Sequence, residues 1–169
     1  MTASDEIRTK ADSSGDYINT GETERKGWDF SLTVRPHEWI ALWGSYSIIE
    51  AVYTDPGPSR ASIKGNDIEN IPDYVAKIGV DFKHPSGVFS GVNLESQGSY
   101  YVDPQNEKDK EGGYSIWNGT IGYTTGSTTF GFEIKNLLNE EYNAFVWNDT
   151  YGFSPGDERS FFVWVKFTI

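Results

Sequence analysis

The sequence predicts an all-β chain: an antiparallel transmembrane β-barrel meander of seven to eight strands. Three observations carry this. Apolar and polar residues alternate with period two along most of the chain, while helical periodicity is nearly absent. Tight turns and long connections follow one another in strict alternation, which in a meander sends every tight turn to one end and every long loop to the other. The last ten residues, Ser160 to Ile169, form an apolar and aromatic strand. At a soluble edge such a strand would recruit neighbours, whereas in a barrel wall it has partners on both sides and lipid outside.

The strands follow in order. In 27–36, Trp28, Phe30, Leu32 and Val34 oppose Asp29, Ser31, Thr33 and Arg35. A looser alternation runs through 39–53 (Ile40, Leu42, Tyr46, Ile48). In 73–83, Tyr74, Ala76, Ile78, Val80 and Phe82 oppose Val75, Lys77, Gly79 and Asp81. Segments 88–101 (Val88, Val92, Leu94) and 114–124 (Trp117, Ile121, Tyr123) come next. In 128–138, Phe130, Phe132 and Ile134 oppose Thr129, Gly131, Glu133 and Lys135. The final strand contributes Phe161, Val163, Val165, Phe167 and Ile169, with Val163, Val165, Phe167 and Ile169 set toward lipid and Lys166 toward the lumen. A weaker eighth strand is expected around 6–10 or 17–20.

Tight turns are expected at 35–38, 84–87 and 124–127, and long links at 54–72, 102–113 and 139–157. Several strands reach the roughly 9–11 residues that a tilted membrane strand needs. Asp29, Arg35, Lys77, Asp81, Asn93, Glu95, Gln97, Glu133, Lys135 and Lys166 share the polar face, which a membrane barrel turns toward a hydrated lumen. Tyr123 and Phe130 flank the third turn, and Tyr74 and Phe82 bracket one strand, as girdle aromatics would.

Composition agrees. The chain has 169 residues, enough for one domain, with 37% apolar and 15% aromatic content, 18 Gly and no Cys. A chain without cysteine has neither a disulfide framework nor a thiolate metal site. The formal net charge of −11 argues against nucleic acid as a partner. No apolar run approaches the roughly 20 residues of a membrane helix. The first six residues carry neither a basic nor an apolar signal region, so an exported chain of this kind is expected to be a fragment or a processed piece. His37 and His84 both sit beside Pro in tight turns, and no nucleophile elbow or metal-spaced His pair is present. No enzymatic activity, cofactor or bound metal is expected.

Four segments resemble the C-terminal part of the barrel of TonB-dependent outer-membrane receptors. They are Asn19-Thr20-Gly21-Glu22-Thr23-Glu24-Arg25-Lys26-Gly27-Trp28-Asp29-Phe30, Asn70-Ile71-Pro72-Asp73-Tyr74, Asn136-Leu137-Leu138-Asn139-Glu140-Glu141-Tyr142, and Pro155-Gly156 with Arg159 before the terminal strand. The match covers 19–169, with 1–18 a weakly defined strand or loop. Two features depart from the family pattern: the sequence ends on Ile169 where the family ends on Phe or Trp, and these 169 residues are expected to contain neither a plug nor a TonB-binding segment.

The resemblance implies a piece of a barrel of about 22 strands in a Gram-negative outer membrane, working in siderophore or iron-complex transport. Its implied partners are lipid and lipopolysaccharide, the absent plug and barrel strands, TonB through that plug, and an iron–siderophore-like ligand. The implied ligand-binding residues are the loop aromatics Tyr101, Tyr142, Trp147 and Tyr151, with Tyr100, Phe145 and Phe153 beside them; loop packing is the competing role. Acidic loop residues could bridge lipopolysaccharide through divalent cations, although a solvated surface suits them better. Arg159 is expected to be structural, with Glu133 or Glu158 as partner. Two other readings stand beside this one. The first is a self-contained eight-stranded outer-membrane barrel with a structural or adhesive role. The second is a soluble β-barrel holding an apolar ligand inside.

Overall fold

The computed structural model describes residues 2–3, 7–9, 17–19, 21–147 and 152–168. In chain order the strands are β1 (Thr2–Ala3), β2 (Ile7–Thr9), β3 (Tyr17–Asn19), β4 (Glu22–His37), β5 (Ile40–Asp55), β6 (Tyr74–Lys83), β7 (Val88–Gln97), β8 (Tyr114–Thr125), β9 (Thr128–Lys135), β10 (Asn143–Val146), β11 (Phe153–Pro155) and β12 (Ser160–Phe167). Eight of them form one open sheet in the order β1-β4-β5-β6-β7-β8-β9-β12, every pair antiparallel. Two small hairpins, β2–β3 and β10–β11, stand apart from it. The seven long strands fall where alternation puts them. Both regions that competed for the eighth strand are extended, and they pair with each other rather than with the sheet.

Registration makes one continuous apolar face. Trp28 lies opposite Ile48 and Ile48 opposite Tyr74, while Leu42, Val80 and Val92 follow one another across three strands. Leu94 faces Trp117, Ile121 faces Phe132 and then Val163, and Tyr123 faces Phe130 and then Val165. A one-residue slip in any pair would turn that strand's apolar set over, and none occurs among these pairs. The face is not covered: Val163 is 81% exposed, Trp28 72% and Ile78 52%. Buried apolar side chains among the described residues lie elsewhere, at Ala51, Tyr53, Ile63, Ile68, Tyr100, Val102 and Val146 under the long loops. Among the described residues, the enclosed apolar interior that a soluble barrel requires is not formed.

The opposite face is polar and cross-linked. Ser47 Oγ donates to Asp29 Oδ1 at 2.5 Å, Lys77 and Glu95 pair at 3.0 Å, and Asn118 Nδ2 donates to Asn93 Oδ1 at 3.1 Å. Three of the rings on it each lie over a glycine of the neighbouring strand. Trp43 covers Gly79. Phe89 and Trp164 approach each other over the registered pair Gly122 and Gly131, with ring centroids 6.3 Å apart. The two rings thereby tie β7 to β12 across the two strands between them. A methyl group at Gly131 would collide with the Trp164 indole. Gly131→Ala is therefore expected to lift that ring off the sheet and cost about 1–3 kcal/mol of stability, read as a lower unfolding midpoint with altered tryptophan fluorescence.

The turns at 84–87 and 124–127 form as expected, but the first tight turn does not. It falls on Glu38 and Trp39, two residues later than the sequence suggests, and Pro36 stays inside β4. The β4–β5 register shifts between Val34 and His37, so Pro36 occupies an interrupted stretch of ladder where its missing N–H is tolerated. Trp39 then sits between the two histidines, its centroid 4.6 Å from His37 and 4.4 Å from His84. Each imidazole Nδ1 accepts a backbone N–H two residues on, from Trp39 and Ser86 respectively. Both histidines are thus committed to turn structure.

Candidate functional site

Strands β4 and β5 run 16 residues each, or roughly 50 Å at 3.3 Å per residue. Their upper third therefore rises beyond the aromatic level of Trp28 and Tyr46. The three long loops gather at this end. The first loop (56–73) folds back along β5: Ile68 N–H donates to Ala51 O at 2.8 Å, and Gly65 N–H donates to Tyr53 O at 2.8 Å. Tyr53 lies fully buried against Ile63 and Ile68, its hydroxyl donating to Glu69 at 2.7 Å.

Paired asparagines fasten the first loop to the second (98–113). Asn66 Nδ2 donates to the carbonyls of Pro104 and Gln105 at 3.0 and 2.8 Å. Asn106 accepts from Asp67 N–H at 2.7 Å and donates to Asp67 O at 3.1 Å. Asn70 N–H donates to Tyr101 O at 2.8 Å. Asn70 and Asn106 have φ of 63° and 55°, a left-handed conformation that Asn adopts more readily than most residues. Lys110 completes the contact, 2.8 Å from Asp73 and 5.0 Å above the Tyr101 ring. Its hydrogen bond to the Asp73 carboxylate raises the ammonium pKa above the ordinary lysine value.

The third loop (136–159) is built on one buried residue. Asn136 Nδ2 donates to Glu140 O at 2.8 Å and to Asp157 O at 3.0 Å, and its Oδ1 accepts from Glu140 N–H at 2.8 Å. Its own N–H donates to Asn118 Oδ1 at 3.0 Å, which joins the loop to the polar wall. Further along, hairpin β10–β11 occupies what the sequence presents as an unbroken loop. Tyr100, buried under this hairpin, accepts Val146 N–H at 2.7 Å, and burial raises its phenol pKa above the usual value.

The expected ligand residues are placed unequally. Tyr101 is half-buried beneath Lys110. Tyr142 is half-buried, its ring centroid 4.5 Å from that of Tyr114 with the two planes tilted by 42°, and it lies over Gly156. Trp147 is 48% exposed beside Phe145, 6.0 Å away, with Phe153 exposed nearby on the hairpin. No ring contact joins Tyr101, Tyr142 and Trp147 to one another. Tyr151 and Ile169 lie outside the described residues. Tyr100 packs rather than presenting a surface.

Two clefts meet at Glu140. One, of ≈ 410 Å³, runs beside Tyr142 and Glu158; the other, of ≈ 570 Å³, runs beside Tyr114, Gln97 and Asp73. Sequence reasoning missed Tyr114 and the loop asparagines. Asn136 and Asn70 left a signal, since they open the Asn-Leu-Leu-Asn and Asn-Ile-Pro-Asp-Tyr segments singled out above; Asn66 and Asn106 left none.

Several loop acids have structural work. Asp67 and Asp73 flank Lys110, and Asp103 accepts the backbone N–H groups of Glu107 and Lys108. Among the described residues no group of three or more His, Cys, Asp or Glu is placed to hold a metal ion. Arg159 is exposed and makes no ion pair with Glu133 or Glu158. It is anchored instead by its backbone N–H, which donates to Asn139 Oδ1 at 2.9 Å.

Comparison with known proteins gives this arrangement its context. The ferrichrome outer membrane transporter/phage receptor of Escherichia coli (strain K12) is 28% identical over 160 residues, covering 88% of this chain and 21% of that protein. The ferric-pyoverdine M114 receptor PbuA of Pseudomonas sp. (strain M114) is 24% identical over 157 residues, covering 88% and 19% respectively. The chain thus spans about a fifth of the length of these relatives. Among solved structures, the ferric yersiniabactin uptake receptor FyuA from Yersinia pestis superposes with a TM-score of 0.78 at 15% identity, over 98% of this chain and 26% of that one. The siderophore receptor PiuA from Acinetobacter baumannii gives 0.76 at 18% identity, over 91% and 23%. The family model described as TonB dependent receptor-like, beta-barrel matches residues 1–137. With its uncovered apolar face, its polar wall and its long loops gathered at one end, the chain belongs to the TonB-dependent receptor-like β-barrel family.

Proposed function

We propose that this chain is a section of the wall of an outer-membrane receptor barrel, the C-terminal portion, serving TonB-dependent uptake of an iron–siderophore complex or a similarly scarce ligand. One observation carries the membrane part of this reading: a registered apolar face spans seven strands and is left uncovered. An exposed apolar patch of that extent is rare on soluble monomers and marks a buried or lipid-facing surface. In this placement the hydrogen-bonded polar wall faces the lumen and the three loops face outward. The TonB-dependent receptors are transporters rather than enzymes. TonB would act on this wall only indirectly, through a plug.

The ligand would meet the loop end, where Trp147 offers an exposed ring and Tyr142 and Tyr101 line the inner edges; Tyr151 belongs to the same proposal. In iron-limited cells carrying the protein, Trp147→Ala is expected to reduce uptake of a radioiron–siderophore complex by about two- to tenfold, the worth of one aromatic contact. Unchanged uptake would remove Trp147 from the ligand surface. Recovery of the protein as a soluble, monodisperse species without detergent would contradict the membrane reading itself.

A further inference from the structure

The two clefts that meet at Glu140 are framed by a pair of tyrosines. Tyr142 of the third loop lines the first cleft and Tyr114, at the head of β8, lines the second, while Glu140 lines both. The two rings pack against each other, centroids 4.5 Å apart and planes tilted by 42°. Gly156 makes room for the Tyr142 ring, since a Cβ there would collide with it, and donates its N–H to Tyr142 O at 2.8 Å. Glu140 is placed by its backbone: Asn136 accepts its N–H and donates to its carbonyl, so the carboxylate has no part in that network. Glu141 and Glu158 also line the first cleft, and no Lys, Arg or His is among the described residues lining either one. Burial, and then the neighbouring Tyr114, Asp157 and Glu95, raises the Tyr142 phenol pKa above the usual value, so the ring meets the cleft uncharged and among acids.

The protein already holds one ammonium with this pairing of groups. Lys110 Nζ lies 2.8 Å from Asp73, which lines the second cleft, and 5.0 Å above the Tyr101 ring. A cation over an aromatic face is attracted by the ring quadrupole, more strongly where water is partly excluded. The clefts, at ≈ 410 and ≈ 570 Å³, fall in the size range of small-molecule sites. We propose that Tyr114, Tyr142 and Glu140 form a subsite for an organic ammonium group, so that the ligand taken at the loop end is an iron chelate carrying a protonated amine. This rests on the receptor reading and adds the charge class of its ligand. Charge complementarity of this kind selects among ligands more than it sets raw affinity. Carboxylates with no cation lining the same clefts favour a cationic chelate and repel an anionic one.

The test uses three ferric trihydroxamates that share one chelating core and differ at a single appended amine: free, acetylated or succinylated. Three hydroxamates neutralise the ferric ion, so the amine alone makes the chelate cationic, neutral or anionic. Equilibrium binding is measured on iron-limited cells that carry the protein and lack other outer-membrane iron receptors. The free amine is expected to bind about three- to tenfold more tightly than the acetylated form, with the succinylated form weakest. Glu140→Gln keeps the backbone bonds to Asn136 and should abolish the preference, whereas Glu107→Gln, at an exposed acid of the second loop, should leave it intact. Tyr142→Phe should retain the preference and Tyr142→Leu reduce it, because the ring face is what the cation meets. Equal binding of the three chelates, a preference that survives Glu140→Gln, or one lost equally in Glu107→Gln would overturn the proposal and leave the receptor reading standing. Binding by none of the three would overturn it as well, and if radioiron uptake also failed the receptor reading would fall with it.

Discussion

Replacing Ile78 with Arg is expected to destabilise the folded wall by about 2–4 kcal/mol, the cost of a cation at the bilayer midplane on a lipid-facing strand. Ile78 is the middle of five outward residues on β6, between Tyr74 and Phe82, and its neighbours across the ladder are Gly44 and Leu94. No carboxylate is registered on that face within reach. The adjacent Lys77 already places a cation on the other face, where it pairs with Glu95. Lys77→Ala should therefore cost no more than about 1 kcal/mol, as for a solvent-exposed ion pair. Reversible unfolding in urea from lipid vesicles would measure both. Equal costs for the two substitutions would mean that the apolar face does not meet lipid.

Asn136→Ala should have the second large effect, confined to the third loop. The substitution removes three side-chain hydrogen bonds at a buried site, at about 0.5–1.5 kcal/mol each. It also forces a Cβ residue without a compensating amide to hold φ at 50°, which adds about 1–2 kcal/mol. Asn136→Gly separates the two contributions, because it relieves the backbone and still loses the bonds. Faster hydrogen exchange at the Glu140 and Val146 amides, with new protease cleavage between 136 and 159, is the expected readout. Exchange that is unchanged at Glu140 would show that the loop is held by something other than Asn136.

The sheet was legible because its determinants are local and repeated. Lys77 beside Ile78, or Phe132 beside Glu133, reports its face directly, and seven such strands reinforce one another. The features that were not legible depend on partners distant in sequence. Pro36 suggested a turn, but tertiary pairing with β5 carried the strand one residue past it. The placement of Trp164 over the sheet depends on Gly131, and that of Phe89 on Gly122. Neither dependence can be read from β7 or β12 alone. The bonds of Asn66 and Asn106 reach across 38 or 39 residues, so two loops that each look irregular stabilise each other. The same contacts decided the loop aromatics. Tyr100 was drawn inward by Val146, while Trp147, two residues after a strand position that pairs with Ser154, stayed outside.

The most direct test of the account is spin-label accessibility at adjacent positions along β6. Single cysteines at Lys77, Ile78, Val80 and Asp81, each labelled in the refolded protein in lipid vesicles, would be compared for collisions with oxygen, which dissolves in lipid, and with a water-soluble nickel chelate; Gly79 is passed over because the Trp43 ring covers it. The lipid-facing account predicts a period-two pattern, with oxygen dominant at Ile78 and Val80 and the chelate dominant at Lys77 and Asp81. Uniform chelate access at all four positions, or oxygen dominance at Lys77 and Asp81, would contradict it.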